Sequence, residues 1–306
     1  MKNMTTKFLL VSAGLTAAVC AQAQQRVVVP AGQDYTIGNI ISASGSNVTY
    51  QWFRDGVAIA NATGASYTVP AILAKHENGL SANYTVGSRF QRAAYGLDCS
   101  GGVAMSNEVT VYFCELMVNG VCWARAATNQ YGSFNSNPWD LGDFYQWNRP
   151  NVGYSPDSGL AISGWNSTPD PAATWTNGYP CPDGWRLPTL QDFQNLHATS
   201  QPVGGVWINN QARGIPANVS GRLYGYNTAH CTMSNMVGCI FLPACGVRQP
   251  QSGSLSFRMQ RGYYASGTQI NSANGYSLRF WNTESDPFNN NNKAFAYSIR
   301  CVQDVQ

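Results

Sequence analysis

Charged side chains are scarce in this chain of 306 residues, since Asp, Glu, Lys and Arg make up only 11% of it. The 18 basic residues barely outnumber the 15 acidic ones, so the chain lacks the basic excess by which proteins bind nucleic acids. Lys and Glu are few, whereas Gly, Asn, Ser, Tyr and Trp are frequent. This composition favours loop-rich β-structure outside the cell and argues against a nucleic-acid partner.

Histidine is scarcer still, with three residues in the whole chain. His76, His197 and His230 are far apart, without the close pairing typical of zinc ligands. The sequence also contains no Gly-x-Ser-x-Gly elbow, no phosphate-binding loop and no recognisable Ser-His-Asp grouping. We therefore predict no catalytic residue and no metal site, and we expect that the protein is not an enzyme. His197 falls on the apolar stripe of a short helix, where a structural role is expected.

Long apolar runs are absent except near the N-terminus, where an apolar segment spans residues 8–19. Two lysines precede it, and Ala-Gln-Ala at residues 21–23 forms a small-x-small cleavage signal. The segment is too short to span a bilayer as a mature helix. We predict a signal peptide over residues 1–23 and an exported chain without a transmembrane segment, located at the cell surface, at the outer membrane or outside the cell. The competing interpretation, a lipoprotein acylated on Cys20, is disfavoured by Val19, because a small residue is expected there.

Removal of the signal peptide leaves eight of the nine cysteines. An even number in an exported chain favours disulfides over metal ligands. Eight cysteines allow 105 pairings, so their number alone does not define the connectivity. The eight are Cys99, Cys114, Cys122, Cys181, Cys231, Cys239, Cys245 and Cys301.

Residues 24–113 show short alternating runs separated by turns, which favours a small β-sandwich. The Asp55-Gly56 pair predicts a hairpin turn. Three segments resemble the Ig-like repeats of bacterial surface proteins: 50–56, 66–69 and 106–111. The resemblance implies an Ig-like domain over residues 24–113, with Trp52 as its core tryptophan. The two inter-sheet cysteines of antibody domains are absent here.

A second hairpin is predicted at Asn119-Gly120. In its two-residue register Met117 lies opposite Cys122, and Cys114 lies opposite Arg125, so a Cys114–Cys122 bridge would require an irregular register. Beyond it, a loop-rich stretch carries Trp139, Trp147, Trp165 and Trp175. We interpret these rings as pins that hold loops to a core, with a carbohydrate-stacking platform as the alternative.

The stretch over residues 181–189 ends in a helix start signal. Thr189 is predicted to cap a short helix, with Asp192 completing the reciprocal capping box. Downstream, residues 238–246 are apolar and bounded by glycine, which predicts a central strand. Residues 294–302 alternate between large and small side chains and predict a half-buried terminal strand. Cys181 begins the first of these stretches and Cys301 lies in the terminal strand, which suggests a long-range disulfide bridge between them.

Six motifs of the second half occur in the order of a known family: 119–124, 144–149, 181–189, 241–244, 262–264 and 298–302. Together they resemble the Fibrobacter succinogenes major paralogous domain of exported Bacteroidetes proteins, which is related to the C-type lectin-like fold. The resemblance implies that residues 114–306 form such a domain, with two short helices, a twisted antiparallel sheet and terminal strands brought together. The expected fold class is thus mainly β, with an α+β C-terminal domain. The family's usual Trp-Ser-Ser is replaced by Ala-Ser-Gly at residues 265–267.

The family's long-range closure implies the Cys181–Cys301 bridge. We also expect the short-range bridge Cys231–Cys239, because the separating segment can fold back on itself. The remaining pairs are then expected to be Cys99–Cys114 and Cys122–Cys245.

Copper and calcium are the two candidate cofactors for this domain. Related formylglycine-generating enzymes bind copper with two cysteines, a role for which Cys239 and Cys245 are candidates, but an exported chain favours disulfides. Sugar-binding C-type lectins ligate calcium, yet here Asp286 supplies the one carboxylate beside the asparagines at 289–292, which is few for a calcium site. We expect no cofactor, with calcium as the alternative.

Residues 250–293 are rich in Asn, Ser, Gly, Tyr and Arg, a mixture typical of binding loops. The sequence therefore predicts an exported cell-surface binding or adhesion protein, fimbrial or otherwise surface-assembled, with an extracellular glycan or protein as partner. The alternatives are a formylglycine-generating-type copper oxidase and a purely structural surface subunit. The residues expected to bind the ligand are Arg258, Arg261, Tyr263, Tyr264, Tyr276, Arg279, Trp281 and Asn282.

Overall fold

A computed structural model describes residues 25–30, 33–38, 47–69, 88–96, 103–114, 116–129, 132–149, 153–176, 180–182 and 184–304. The predicted signal peptide and Cys99 lie outside these residues. The described chain is mainly β, which agrees with the predicted fold class at that level. None of the helices in these ranges is both long and apolar enough to cross a membrane.

The N-terminal strands are β1 (Gln25–Pro30), β2 (Tyr35–Ile37), β3 (Thr49–Arg54), β4 (Val57–Ala58), β5 (Tyr67–Val69), β6 (Ser88–Tyr95), β7 (Val103–Met105) and β8 (Val109–Cys114). The strands that follow are β9 (Leu116–Val118), β10 (Val121–Trp123), β11 (Tyr145–Gln146), β12 (Val206–Ile208), β13 (Gly221–Gly225), β14 (Cys239–Pro243), β15 (Val247–Arg248), β16 (Leu255–Ser256), β17 (Gly262–Gln269), β18 (Asn274–Phe280), β19 (Ser285–Asn292), β20 (Ala296–Tyr297) and β21 (Val302–Asp304). The helices within the described residues are α1 (Leu190–Thr199) and a short 3-10 helix (Ala212–Gly214).

These strands form several small sheets. The six-stranded sheet has the order β1-β8-β6-β3-β4, with β7 also paired to β6, and a separate pair joins β2 to β5. The remaining orders are β21-β10-β9, β11-β20-β15-β16, β12-β13-β14 and β17-β18-β19. The chain divides into two compact units, the first mainly from residues 36–68 and 88–110, the second mainly from residues 111–304.

The first unit is built on the pairing of β3 with β6. The predicted hairpin is present between β3 and β4, with Asp55 and Gly56 at φ 49° and 83°. Both residues of such a turn need positive φ, which the Asp-Gly pair tolerates well. Trp52 is fully buried, and its Nε1 donates to Gly64 O at 2.9 Å. Its expected place in the core is therefore confirmed.

Helix α1 of the second unit begins as predicted. The Thr189 hydroxyl accepts from Asp192 N, and the Asp192 carboxylate accepts from Thr189 N at 2.7 Å. Arg186 Nη1 donates to the same carboxylate at 2.6 Å, so this arginine serves the scaffold. Phe193 and Leu196 are fully buried and turn the apolar face of the helix toward the core.

The hairpin of β9 and β10 also has its predicted register, with Met117 opposite Cys122. The cysteine pairing around it differs from the prediction. Cys114 is bonded to Cys122, with a Cα–Cα distance of 5.8 Å. The reason is that β8 ends at Cys114 and β9 begins at Leu116, so the hairpin ladder does not extend to a position opposite Arg125.

Two further bridges occur as expected, Cys181–Cys301 and Cys231–Cys239. The first closes a loop of 120 residues, and such a closure contributes about 4–5 kcal/mol in the chain-entropy account. The expected pairs Cys99–Cys114 and Cys122–Cys245 are wrong, because Cys114 and Cys122 are bonded to each other. Cys245 is a buried free thiol.

Two strand predictions also need correction. The apolar run at residues 238–246 forms β14, which is buried throughout but lies at the edge of the order β12-β13-β14. The terminal segment 294–302 is two short strands, β20 and the start of β21, and its side chains are buried on both faces apart from the partly exposed Phe295. Arg300 is fully buried there, with Nη2 donating to Phe241 O at 2.8 Å.

The interpretation of the tryptophans as pins is supported at two positions. Trp147 Nε1 donates to Ala172 O at 3.0 Å, and Trp165 Nε1 donates to Pro250 O at 2.9 Å. Each ring therefore fixes a remote loop through its one polar atom, as buried tryptophans commonly do.

Candidate functional site

The turn between β18 and β19 carries part of the predicted binding loops. It is closed by Trp281 N, which donates to Glu284 O at 2.9 Å. The buried Arg222 lies beneath it and donates from Nη1 to Trp281 O at 2.5 Å and to Glu284 O at 2.9 Å. Its Nε donates to Gly204 O at 2.6 Å. Burial lowers the pKa of Arg222, and the carbonyls replace the lost hydration of its guanidinium.

A second turn, at residues 257–261, lies just before β17. Phe257 O accepts from Arg261 N at 3.0 Å, and Met259 N donates to Ala244 O at 2.7 Å. Gly246 N donates to Arg261 O at 2.8 Å, which ties the end of the turn to the segment that precedes β15. Phe257 and Met259 have φ values of 61° and 59°, a left-handed conformation that costs about 1–2 kcal/mol per non-glycine residue. The turn is thus held in a costly conformation by its hydrogen bonds.

These two turns bring together a set of cations and rings. The guanidinium carbon of Arg261 lies 4.3 Å from the Phe257 ring centroid and 5.7 Å from that of Trp281. The Arg279 guanidinium lies 5.1 Å from the Trp281 ring centroid, and its Nη2 is 3.0 Å from Asp286 Oδ2. We call Phe257, Arg261, Trp281 and Arg279 the Arg–aromatic cluster. Each cation–π contact at an exposed site contributes about 0.5–1 kcal/mol.

The arginines around the cluster differ in their polar partners. Arg279 is paired with Asp286, and Arg258 Nη2 lies 3.9 Å from Asp157 Oδ1. Within the described residues, the guanidinium of Arg261 makes no hydrogen bond and no ion pair. Arg261 is partly exposed, so solvent can reach it. Its N–H donors are therefore available to a ligand.

Three of the predicted ligand-binding residues, Arg261, Trp281 and Arg279, thus meet in one place. Asn282 follows Trp281 on the exposed turn, and Arg258 is exposed on the other turn. Phe257, which is 38% exposed, was not predicted. No sequence signal indicates its left-handed backbone, and only its distance of four residues from Arg261 could have suggested a contact.

Tyr263 and Tyr264 were expected on the binding face, and for them the prediction is wrong. Tyr264 is fully buried, and its hydroxyl donates to Pro243 O at 2.9 Å. Tyr263 is also buried and stacks on Tyr297, with ring centroids 6.1 Å apart. The start of β17 is covered on both faces, so adjacent residues are both buried instead of alternating.

Tyr276 lies elsewhere, in a small pocket that Trp147, Trp175 and Lys293 also line. The side chain of Lys293 is 3% exposed. Its Nζ donates to Ala172 O at 2.8 Å and to Gln269 Oε1 at 3.0 Å, and it lies 4.5 Å from the Trp147 ring centroid. Desolvation lowers the pKa of this ammonium group, partly offset by Asp170. Lys293 therefore fastens two chain segments.

The cysteine pair considered for copper is not present as two thiols. Cys239 is bonded to Cys231. The Cys245 thiol is fully buried, 3.4 Å from the Tyr264 hydroxyl, and burial raises its pKa. A protonated, enclosed thiol is a poor metal ligand and a poor nucleophile.

The carboxylate considered for calcium is also engaged. Asp286 Oδ2 accepts from Arg279, and its Oδ1 accepts from Phe288 N at 2.9 Å. In the part of the chain that the structure describes, no three His, Cys, Asp or Glu side chains are grouped as metal ligands would be. His197, expected to be structural, contacts Ser285 O through Nε2 at 3.1 Å, and desolvation lowers its pKa.

No family model matches the chain, and neither does any curated protein sequence. The resemblance to the major paralogous domain therefore rests on the sequence motifs alone.

Proposed function

We propose that this chain is an exported, non-enzymatic binding or adhesion protein, in which a C-type-lectin-like module follows an Ig-like spacer at the cell surface. The observation that carries the proposal is the Arg–aromatic cluster. It combines two rings, an arginine that has no polar partner among the described residues and flanking amide side chains, which is the chemistry enriched at recognition surfaces.

The rigidity of the two turns supports a role in binding. Arg222 clamps the turn of Trp281 from below, and backbone hydrogen bonds hold the turn of Phe257. A surface that is ordered before the ligand arrives loses less conformational entropy on binding. The strained φ of Phe257 is of the kind found at ligand-contacting sites.

The disulfides support the exported location. The three bridges are typical of proteins that fold in oxidising compartments. The copper-oxidase alternative lacks support, because Cys239 is bonded to Cys231 and the thiol of Cys245 is buried. The experiment below distinguishes a purely structural subunit from the binding protein that we propose.

The test is a glycan array probed with the mature protein, with and without calcium, together with a pull-down from outer-membrane material. We expect binding to at least one extracellular ligand, unchanged by removal of calcium. Replacement Trp281→Ala should weaken that binding at least about tenfold, since central aromatic residues dominate such surfaces.

Phe288→Ala is the matched control, because Phe288 is an exposed ring on β19 outside the cluster. It should leave binding unchanged. Self-assembly without any ligand would favour the structural subunit instead. Two reduced cysteines with bound copper would favour the oxidase.

A further inference from the structure

In the Arg–aromatic cluster, the side-chain donors of Arg261 have no acceptor within the part of the chain that the structure describes. The guanidinium carbon of Arg261 lies over the rings of Phe257 and Trp281, at 4.3 and 5.7 Å from their centroids. Ring contacts of this kind restrict the side chain without using its N–H groups. Arg261 is therefore positioned in advance and keeps its hydrogen-bonding capacity.

A planar guanidinium with free N–H edges matches a carboxylate, because two parallel hydrogen bonds form at once. A neutral hydroxyl or amide can accept only part of this donor set. The ligand group that complements Arg261 best is therefore an anion with two adjacent oxygens.

The surroundings limit how many such groups the ligand carries. Glu284 is exposed on the neighbouring turn, and Asp157 and Asp286 face the other two arginines. A densely acidic ligand would meet these carboxylates, and like charges in proximity repel. Gln260, Asn282 and Thr283, which are also exposed on these two turns, are neutral. This pattern fits isolated carboxylates separated by hydroxyl groups, as in acidic sugars, better than the closely spaced carboxylates of an acidic peptide.

We infer that Arg261 is the anion-receiving residue of the binding face and that its ligand is a carboxylate-bearing glycan, an inference that rests on the proposed function. The N–H edges of the guanidinium donate two parallel hydrogen bonds to the sugar carboxylate. Phe257 and Trp281 hold the guanidinium, and the neutral amides face the hydroxyl groups.

The experiment measures binding of the mature protein to sialylated and uronic-acid oligosaccharides, each paired with its carboxyl-reduced counterpart. A poly-glutamate peptide is included as a separate arm. We expect at least one acidic glycan to bind roughly tenfold to a hundredfold more tightly than its reduced partner, the range of a charge-assisted hydrogen-bond pair. Arg261→Met should abolish this difference, and Arg261→Lys should restore only part of it, because an ammonium lacks the fork.

Arg89→Met is the matched control, since it removes the same charge from the first unit, where Arg89 faces Asp55 and Glu108. It should leave the difference intact. Thermal unfolding of each variant verifies that the fold persists, and the paired glycans test the wild type without any substitution.

The outcomes separate the two proposals. Equal binding of acidic and reduced glycans overturns the inference about Arg261 and leaves the binding function standing. Binding of poly-glutamate alone overturns the glycan as ligand. Absence of binding to every glycan and to the peptide overturns the inference about Arg261, and the binding function falls with it only if the glycan array and the pull-down also recover no ligand.

Discussion

Arg261 and Lys293 are both cations held beside aromatic rings, yet they serve different purposes. Lys293 is 3% exposed and donates to Ala172 O and Gln269 Oε1. Arg261 is partly exposed and has no acceptor among the described residues. A ring contact by itself therefore does not reveal a binding site. What separates scaffold from recognition is whether the remaining donors are already used.

The same contrast appears within the arginines. Arg222 has its donors directed to the carbonyls of Gly204, Gly205, Trp281 and Glu284. A buried charge is tolerated only when such partners replace water. Arg222 belongs to the scaffold by this criterion, although it shapes the turn that carries Trp281.

The largest effect is expected from Arg222→Met, which would show how far scaffold and recognition depend on each other. Removal of the guanidinium leaves buried carbonyls without donors, so the free energy of unfolding should fall by about 3 kcal/mol. Urea unfolding measures this loss, and Arg89→Met, an exposed arginine, should stay within about 0.5 kcal/mol. Glycan affinity should fall as well, because the Trp281 turn loses its clamp. Unchanged stability would mean that the clamp is not needed.

A smaller loss is expected from Lys293→Met. Methionine keeps much of the apolar volume but removes two charge-assisted hydrogen bonds, so the free energy of unfolding should fall by about 2 kcal/mol. The measurement is again the urea midpoint. An unchanged midpoint would mean that the hydrogen bonds of Lys293 do not stabilise the fold. Lys293 and Arg261 would then not differ in the way proposed.

Local features of the fold could be predicted because they depend on neighbours in the chain. The capping box of Thr189 and the turn at Asn119-Gly120 are of this kind. The disulfide partner of Cys114 could not be predicted in this way, because the bridge depends on where β8 ends relative to β9. Tyr264 was misplaced because a strand covered on both faces loses its alternation.

The site was predicted in part for the same reason. The composition of residues 250–293 indicated Arg261, Arg279 and Trp281, but their contacts join two separate turns and are tertiary. Lys293 carried no signal, since a lysine after four asparagines is expected in solvent and lysines are almost never fully buried. Phe257 could not be predicted as part of the site, because no residue pattern in the sequence indicates its left-handed backbone or its contact with Arg261.

The smallest expected effect is a pH dependence due to Lys293. Its folded pKa is lowered by desolvation, so between that pKa and about 10.4 the unfolded state binds more protons than the folded state. Stability contributed by this group should therefore rise with pH through that window. Urea midpoints of the wild type and Lys293→Met, compared from neutral to alkaline pH, should diverge. A constant difference would contradict the desolvated environment of the ammonium group.

Among cations held beside aromatic rings in this protein, unused donors mark recognition and used donors mark scaffold. The most direct test measures both the urea midpoint and the affinity for the tightest acidic glycan in Arg261→Met and Lys293→Met. We predict that Arg261→Met loses the affinity and keeps its stability to within about 1 kcal/mol, while Lys293→Met loses stability and keeps the affinity in its folded fraction. Loss of stability in Arg261→Met with unchanged affinity would contradict the account.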